Sequence, residues 1–177
     1  MNTSSPQTIP QFADKLFLAL GQTLYACQLF EATLLEVLAH THELLDGTGD
    51  GTRFQESIET LSRKTLGQLL HEFRKRADIR EDIEGRLSAG LEARNFVVHH
   101  FAEHVGDDLS AEPEISAHQR VVYEKCAVVM GANDAGLDLL NAIAKLNAAR
   151  SGAMANELEE KTNAMRELAS RYSELRH

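Results

Sequence analysis

The stretch Ile79–His104, IREDIEGRLSAGLEARNFVVHHFAEH, decides the fold. Leu87, Leu91, Val98 and Phe101 recur at helical spacing and predict one amphipathic helix with those four side chains facing a core. Asp78 and Glu81 stand at capping-box spacing just ahead of it. Arg94 falls on the same line, seven residues after Leu87 and seven before Phe101. An arginine on an apolar stripe needs a partner. Asn95 and His99 are four apart and share a face. Arg94 and His99 are five apart, about 140° around a straight helix. Contact between them requires a distorted helix, a long arginine reaching round a groove, or a second copy of the chain.

The chemistry in Arg94-Asn95-Phe96-Val97-Val98-His99-His100-Phe101 is specific in kind. Arginine supplies a permanent forked cation that fits phosphate oxygens. Histidine gives or takes a proton near neutral pH. Together they suit a phosphodiester whose ribose 2′-hydroxyl must lose a proton. The ordinary role of a lone histidine in a helical bundle is structural; the neighbouring Arg94 and Asn95 move the reading toward function.

Upstream, Gln11 to Leu45 reads as a long helix with Leu20, Leu24, Cys27, Leu34 and Leu38 on its apolar stripe. Glu31 lies on that stripe. It is either the partner that holds the Arg94 guanidinium or a helix-edge carboxylate reaching solvent. His40 and His42 point different ways and end this helix. Gly47 to Gly51 is a turn; no strand precedes it and no Gly-Lys-Ser/Thr follows, so it is not a phosphate loop. Arg53 to Ser62 forms a short helix with Phe54, Ile58 and Leu61 inward. Thr65 and Gln68 form a capping box for a helix carrying Leu66, Leu69, Leu70 and Phe73 to about Arg76. Arg74, Lys75 and Arg76 are the most basic run. They either complement a helix C-terminus or form an entry patch for an RNA backbone, with His100 as a further contact.

Downstream, Gly106 to Pro113 is a loop. A long helix from Pro113 or Glu114 to Arg150 carries Ile115, Val122, Cys126, Val129, Leu140 and Ile143 inward. Gly131 and Gly136 mark a bend or close helix contacts. Ala153 to Leu175 forms a last helix whose seam is Leu158, Met165, Leu168, Tyr172 and Leu175, broken by Lys161. No strand pattern and no repeat occurs. The fold expected is an all-α, antiparallel helical bundle. Residues 1–10 are an expected disordered N-terminus, 11–150 the bundle, and 151–177 a C-terminal helix that docks on it or on a partner.

The chain has 177 residues, no Trp and three Pro, with a net charge of −9. That charge excludes a generally basic nucleic-acid binder and confines any RNA contact to a local cleft. Cys27 and Cys126 have no metal-type spacing and read as buried apolar positions in a reducing compartment. Neither a signal region nor a membrane-length apolar run is present, so no membrane contact and a cytoplasmic location are expected. His100-Phe101-Ala102-Glu103-His104 spells the inverted zincin pattern, with Glu124, Asp134 or Asp138 available as a third ligand. The competing reading is a solvated polar helix end, and it prevails: no metal and no cofactor are expected.

Arg94-Asn95 followed by His99-His100-Phe101 resembles the Arg-x4-His signature of the HEPN superfamily. The Leu-x-x-x-Leu-x-x-Arg-Asn flank from Leu87 is also similar, as are, more weakly, Gly21–Glu31 and Thr65–Gly67. The likeness is close over about residues 85–104 and organisational over about 12–145. It implies a HEPN-like helical bundle and a metal-independent endoribonuclease of a toxin–antitoxin or phage-defence system. In that scheme His99 moves the proton, Arg94 clamps the phosphate, Asn95 orients either, and Glu31 supports Arg94. The products are a 2′,3′-cyclic phosphate and a 5′-hydroxyl. The site lies across a homodimer, and a protein antitoxin neutralises it. The alternative implied is a non-catalytic HEPN-like dimer that binds nucleotide or protein.

Overall fold

The computed structural model describes residues 13–47, 51–106, 112–148, 160 and 162–167. Its elements are α1 (Asp14–Asp46), α2 (Thr52–Leu61), α3 (Leu66–Arg76), α4 (Glu81–Asn95), a π-helical turn (Phe96–His100), α5 (Phe101–Val105) and α6 (Glu112–Ala148). No strand occurs among the described residues, so the chain is an all-α bundle as its hydrophobic periodicity predicts.

Register follows from which side chains meet. Leu16 and Ala19 of α1 share a cluster with Ile115 and Val122 of α6. Farther along, Thr33 Oγ1 donates to Asn133 Oδ1 at 2.8 Å. Leu34 and Leu38 join Leu140 and Ile143 in the main core. The two long helices therefore run parallel. α4 runs against both, because its C-terminal continuation through Phe101 and Val105 reaches the end holding Leu16 and Ile115. Gly90 makes this three-helix contact possible: a Cβ there would collide with the Cβ of Ala132 and lie 3.0 Å from the Phe30 ring. Gly136 likewise admits Thr33, whereas a Cβ on Gly131 would meet nothing within 4 Å.

Two expected core positions lie elsewhere. Leu24 is 38% exposed, and Thr23 takes its place in the core. The Thr23 hydroxyl donates to the Ala19 carbonyl at 2.8 Å, so burying it leaves no polar atom unmet. Val98 is 40% exposed while Val97 is 5% exposed, because the inward face of α4 already runs through Gly90 and Ala93, and Val97 follows Ala93 by four. Of the capping boxes, Thr65–Gln68 forms: Gln68 N donates to Thr65 Oγ1 at 3.4 Å and Thr65 N to Gln68 Oε1 at 2.9 Å. The Asp78–Glu81 box does not. α4 starts after Arg80, with no side-chain cap, and is favoured instead by Glu81, Asp82 and Glu84 in its first turn.

His40 and His42 do more than end α1; both are buried. His42 Nδ1 lies 2.9 Å from Ser57 Oγ of α2, and its Nε2 lies 3.5 Å from Glu72 Oε1 of α3. His40 stacks on Phe54 with ring centroids 4.4 Å apart. Glu43 is also buried and caps α2 from outside, accepting from Phe54 N at 2.9 Å and Gly51 N at 3.3 Å. Gly51 adopts φ +81°, a left-handed turn that suits glycine.

Residues 162–167 are helical. Thr162 is buried, Met165 packs on the main core, and Arg166 pairs with Asp138 at 2.9 Å. This part of the expected C-terminal helix docks on the bundle. Residues 1–10, most of the Gly106–Pro113 loop, and Leu158, Leu168, Tyr172 and Leu175 of the seam lie outside the described residues. No helix among the described residues is long and apolar enough to cross a membrane.

Candidate active site

α4 presents Arg94 one residue before its end, where the α-helix widens into the π turn. In a π turn the backbone bond closes over five residues rather than four. Residues five apart are thereby brought onto one side. Arg94 Nη1 lies 3.0 Å from His99 Nε2. Of the three ways to join them that the sequence leaves open, helix distortion is the one realised.

Arg94 is held from two further directions. Its Nε donates to Glu31 Oε1 of α1 at 2.7 Å, and its Nη1 to Asn95 Oδ1 at 3.2 Å. Glu31 is thus the carboxylate that meets Arg94, the functional member of its two readings. The Arg94 side chain is 20% exposed and that of Glu31 is 36% exposed, so solvent screens the pair. The pair therefore fixes geometry more than it adds stability. Arg94 Nη2 makes no hydrogen bond among the described residues and remains available to an incoming oxygen.

The tautomer of His99 follows from its neighbour. Arginine keeps its protons at any ordinary pH, so its N–H donates and His99 Nε2 accepts. The ring proton then sits on Nδ1. Nε2 carries the lone pair that a general base needs, and that lone pair points at the guanidinium. Cys27 lies one turn before Glu31; burial pushes its thiol up to about 11, against a lowering by Arg94. Both cysteines are free and buried, as their spacing predicts.

The basic run lies elsewhere. Arg74 Nε donates to Glu84 Oε1 at 2.7 Å and its Nη2 to Ser88 Oγ at 2.8 Å. Ser88 and Glu84 precede Arg94 on α4 by roughly 9 and 15 Å of helix. Arg76 pairs with Asp46 at 2.5 Å, about 22 Å along α1 from Glu31. Lys75 lines an open groove on α3 with Lys64, Gln68, His71 and Glu72. The structure does not bring Arg74, Lys75 and Arg76 to the Arg94–His99 pair. His100 does lie beside it, with the two imidazole centroids 6.4 Å apart.

The zinc pattern is not assembled. His100 turns to Glu103, Nδ1 to Oε2 at 3.5 Å, while His104 packs edge-on against Phe96 and against His118 of α6. Among the described residues no three histidine, cysteine or acidic side chains gather where one ion could be held. Glu124, Asp134 and Asp138 do not join the two histidines; Asp134 faces Arg86, Asp138 and Arg166 instead.

The sequence reading did not find the buried His42 imidazole set between Ser57 and the part-exposed Glu72. Its signal was present, since His42 follows Leu38 by four and shares its inward face. Comparisons with protein-family models, curated proteins and solved structures find no match to this chain.

Proposed function

We propose that the chain is a metal-independent endoribonuclease of HEPN-like type. It would act in the cytoplasm as a homodimer, in a toxin–antitoxin or phage-defence role, held in check by a protein antitoxin. The observation that carries this reading is the 3.0 Å contact between a partly exposed guanidinium and an exposed imidazole. The antiparallel passage of α4 across α1 supports the HEPN-like comparison by bringing Glu31 under Arg94.

A scissile phosphate binds through Arg94 Nη2 and then draws the Nη1 protons toward its own oxygens. That releases His99 Nε2. The freed nitrogen takes the proton of the ribose 2′-hydroxyl. The 2′-oxygen attacks phosphorus and the bond to the 5′-oxygen breaks. The imidazolium, or the one contributed by a second copy, returns the proton to that 5′-oxygen. A 2′,3′-cyclic phosphate and a 5′-hydroxyl result. Arg94 stabilises the charge gathering on the non-bridging oxygens, Glu31 fixes the guanidinium plane, and Asn95 limits its rotation.

One observation favours the alternative, a non-catalytic HEPN-like dimer that binds nucleotide or protein. Nε2 is already occupied by Arg94, so the group is a closed polar network until a ligand opens it. Incubation with total RNA in EDTA separates the two. Cleavage by wild type and not by His99→Ala, with cyclic phosphate ends, supports the nuclease. Identical RNA profiles for both proteins rule it out and leave the binding role.

A further inference from the structure

One residue past Asn95 the chain turns a second group of side chains toward α6. Phe96 and His104 meet edge-on with ring centroids 5.4 Å apart, and His104 meets His118 of α6 edge-on, also at 5.4 Å. Lys125 of α6 places Nζ 5.1 Å from the centre of the Phe96 ring. His100 is exposed and neighbours His99, with ring centroids 6.4 Å apart. Rings of the α4–α5 junction thus meet α6 at His118 and at the Lys125 ammonium.

Arg74 and Arg76 are held by Glu84 and Asp46, and Lys64 by Glu72. Lys125 has no carboxylate partner among the described residues and rests on an aromatic face. A ring orients a cation without cancelling its charge. His118, two turns before Lys125 on α6, is buried at Nε2 with no hydrogen-bond partner. Glu103 takes the edge of His100, which leaves that imidazole its face to offer, not a phosphate contact.

We propose that Phe96, His100, His104, His118 and Lys125 form a subsite for the nucleotide next to the cleaved bond. The inference rests on the ribonuclease reading and deepens it. The base stacks on exposed imidazole, which every base can do, and Lys125 takes the flanking phosphate. Arg94 and Phe96, two residues apart, leave the helix on nearly opposite sides, about 200° around the axis. A single-stranded chain thus crosses the α4–α5 junction, with its scissile phosphate on the α1 side and its neighbour on the α6 side. This places the RNA path away from Arg74–Arg76.

The test uses the full chain and a fluorescein-labelled, fully 2′-O-methylated RNA hexanucleotide of mixed sequence, which cannot be cut. Lys125→Ala and His104→Ala each weaken binding about tenfold, the scale of one lost stack or phosphate contact. The salt slope of log affinity drops by about 0.7 for Lys125→Ala alone, the share of one single-strand phosphate contact. On a cleavable hexanucleotide both variants raise KM about tenfold and leave kcat within about twofold; a dinucleotide, which lacks the flanking phosphate, is cut by Lys125→Ala as by wild type. Wild type that fails to bind the hexanucleotide, or three proteins of equal affinity, overturns the subsite. Lys125-dependent binding without any cleavage removes the nuclease reading and leaves the subsite standing.

Discussion

Arg94 Nη1 and His99 Nε2 lie 3.0 Å apart although the two residues are separated by five positions. A regular α-helix would hold them about 140° apart. The extra width of the Phe96–His100 turn is what joins them, and π turns of this kind concentrate at functional sites. Deleting Val98, an exposed residue within the turn, tests this directly. Phe101 would then follow Val97 by three positions instead of four, and either spacing keeps both on the buried face. The deletion also places the histidine four positions after Arg94, a spacing that a regular α-helix keeps on one face. The expected protein therefore keeps its helical circular dichroism and its RNA cleavage without the wide turn, whereas loss of cleavage would show that bringing the two residues onto one side is not what the turn supplies.

Arg94 and Glu31 lead to a second prediction. Arg94→Lys retains the charge but has no planar fork to serve Glu31, Asn95 and His99 together. Loss of an oriented donor of this kind costs about 10²–10³ in kcat, and the same drop is expected here. Glu31→Gln keeps an acceptor for Nε but removes the opposing charge, so a smaller loss of about tenfold is expected, mainly in kcat. Glu31→Ala should fall between the two. A melting temperature within a few degrees of wild type in all three separates positioning from folding; equal kcat for Glu31→Ala and wild type sinks the positioning role.

A pH-dependence of stability resides at the opposite end of α1. Burial, with help from Arg76, holds the His42 imidazole below its ordinary 6.5. The unfolded chain therefore binds this proton at higher pH than the folded chain does. Stability is complete above 6.5 and declines as pH falls from 6.5 toward the folded-state value, by at most about 1.4 kcal/mol per pH unit. Glu72 acts in a lower window. Burial raises its pKa, but the Lys64 ion pair and His42 outweigh that and set it below 4.5, so its contribution disappears only in stronger acid. Urea midpoints at pH 7.5 and 5.5 should differ for wild type and converge for His42→Asn, which still offers Ser57 a partner. An undiminished difference in the variant assigns the slope to another group.

Much of this architecture was legible because it is periodic. Leu87 and Phe101 seat α4–α5, Thr65 and Gln68 cap α3, and Cys27, Leu34, Val129 and Leu140 build the α1–α6 contact from ordinary helical spacing. What escaped are the places where spacing is not the cause. Val97 replaces Val98 because the buried face runs through Gly90 and Ala93, small residues chosen for close helix contact that give little apolar signal. Thr23 replaces Leu24 because its hydroxyl returns to the backbone of its own helix, which makes a polar residue as good a core member as leucine. Glu31 on an apolar stripe could be placed opposite Arg94 only as one of two options, since facing helices choose their register through distant residues. Lys125 gave no signal at all: its role depends on a ring from α4 lying over α6.

Gly90 offers the most direct probe of that register. It sits where α4 crosses α1 and α6, with no room for a Cβ against Ala132 and the Phe30 ring. In an exposed helix, glycine to alanine gains about 0.5–1 kcal/mol from helix propensity. Here the clash decides the sign, and overpacking of this sort costs about 1–3 kcal/mol. Gly90→Ala should therefore lower the urea midpoint. Ala132→Gly alone should also lower it, by opening a void and weakening α6. The double variant moves the methyl from one helix to the other and should recover most of what Gly90→Ala loses. Additive losses would mean that the two residues do not face each other, and the placement of Arg94 over Glu31, which depends on the same crossing, would have to be redrawn.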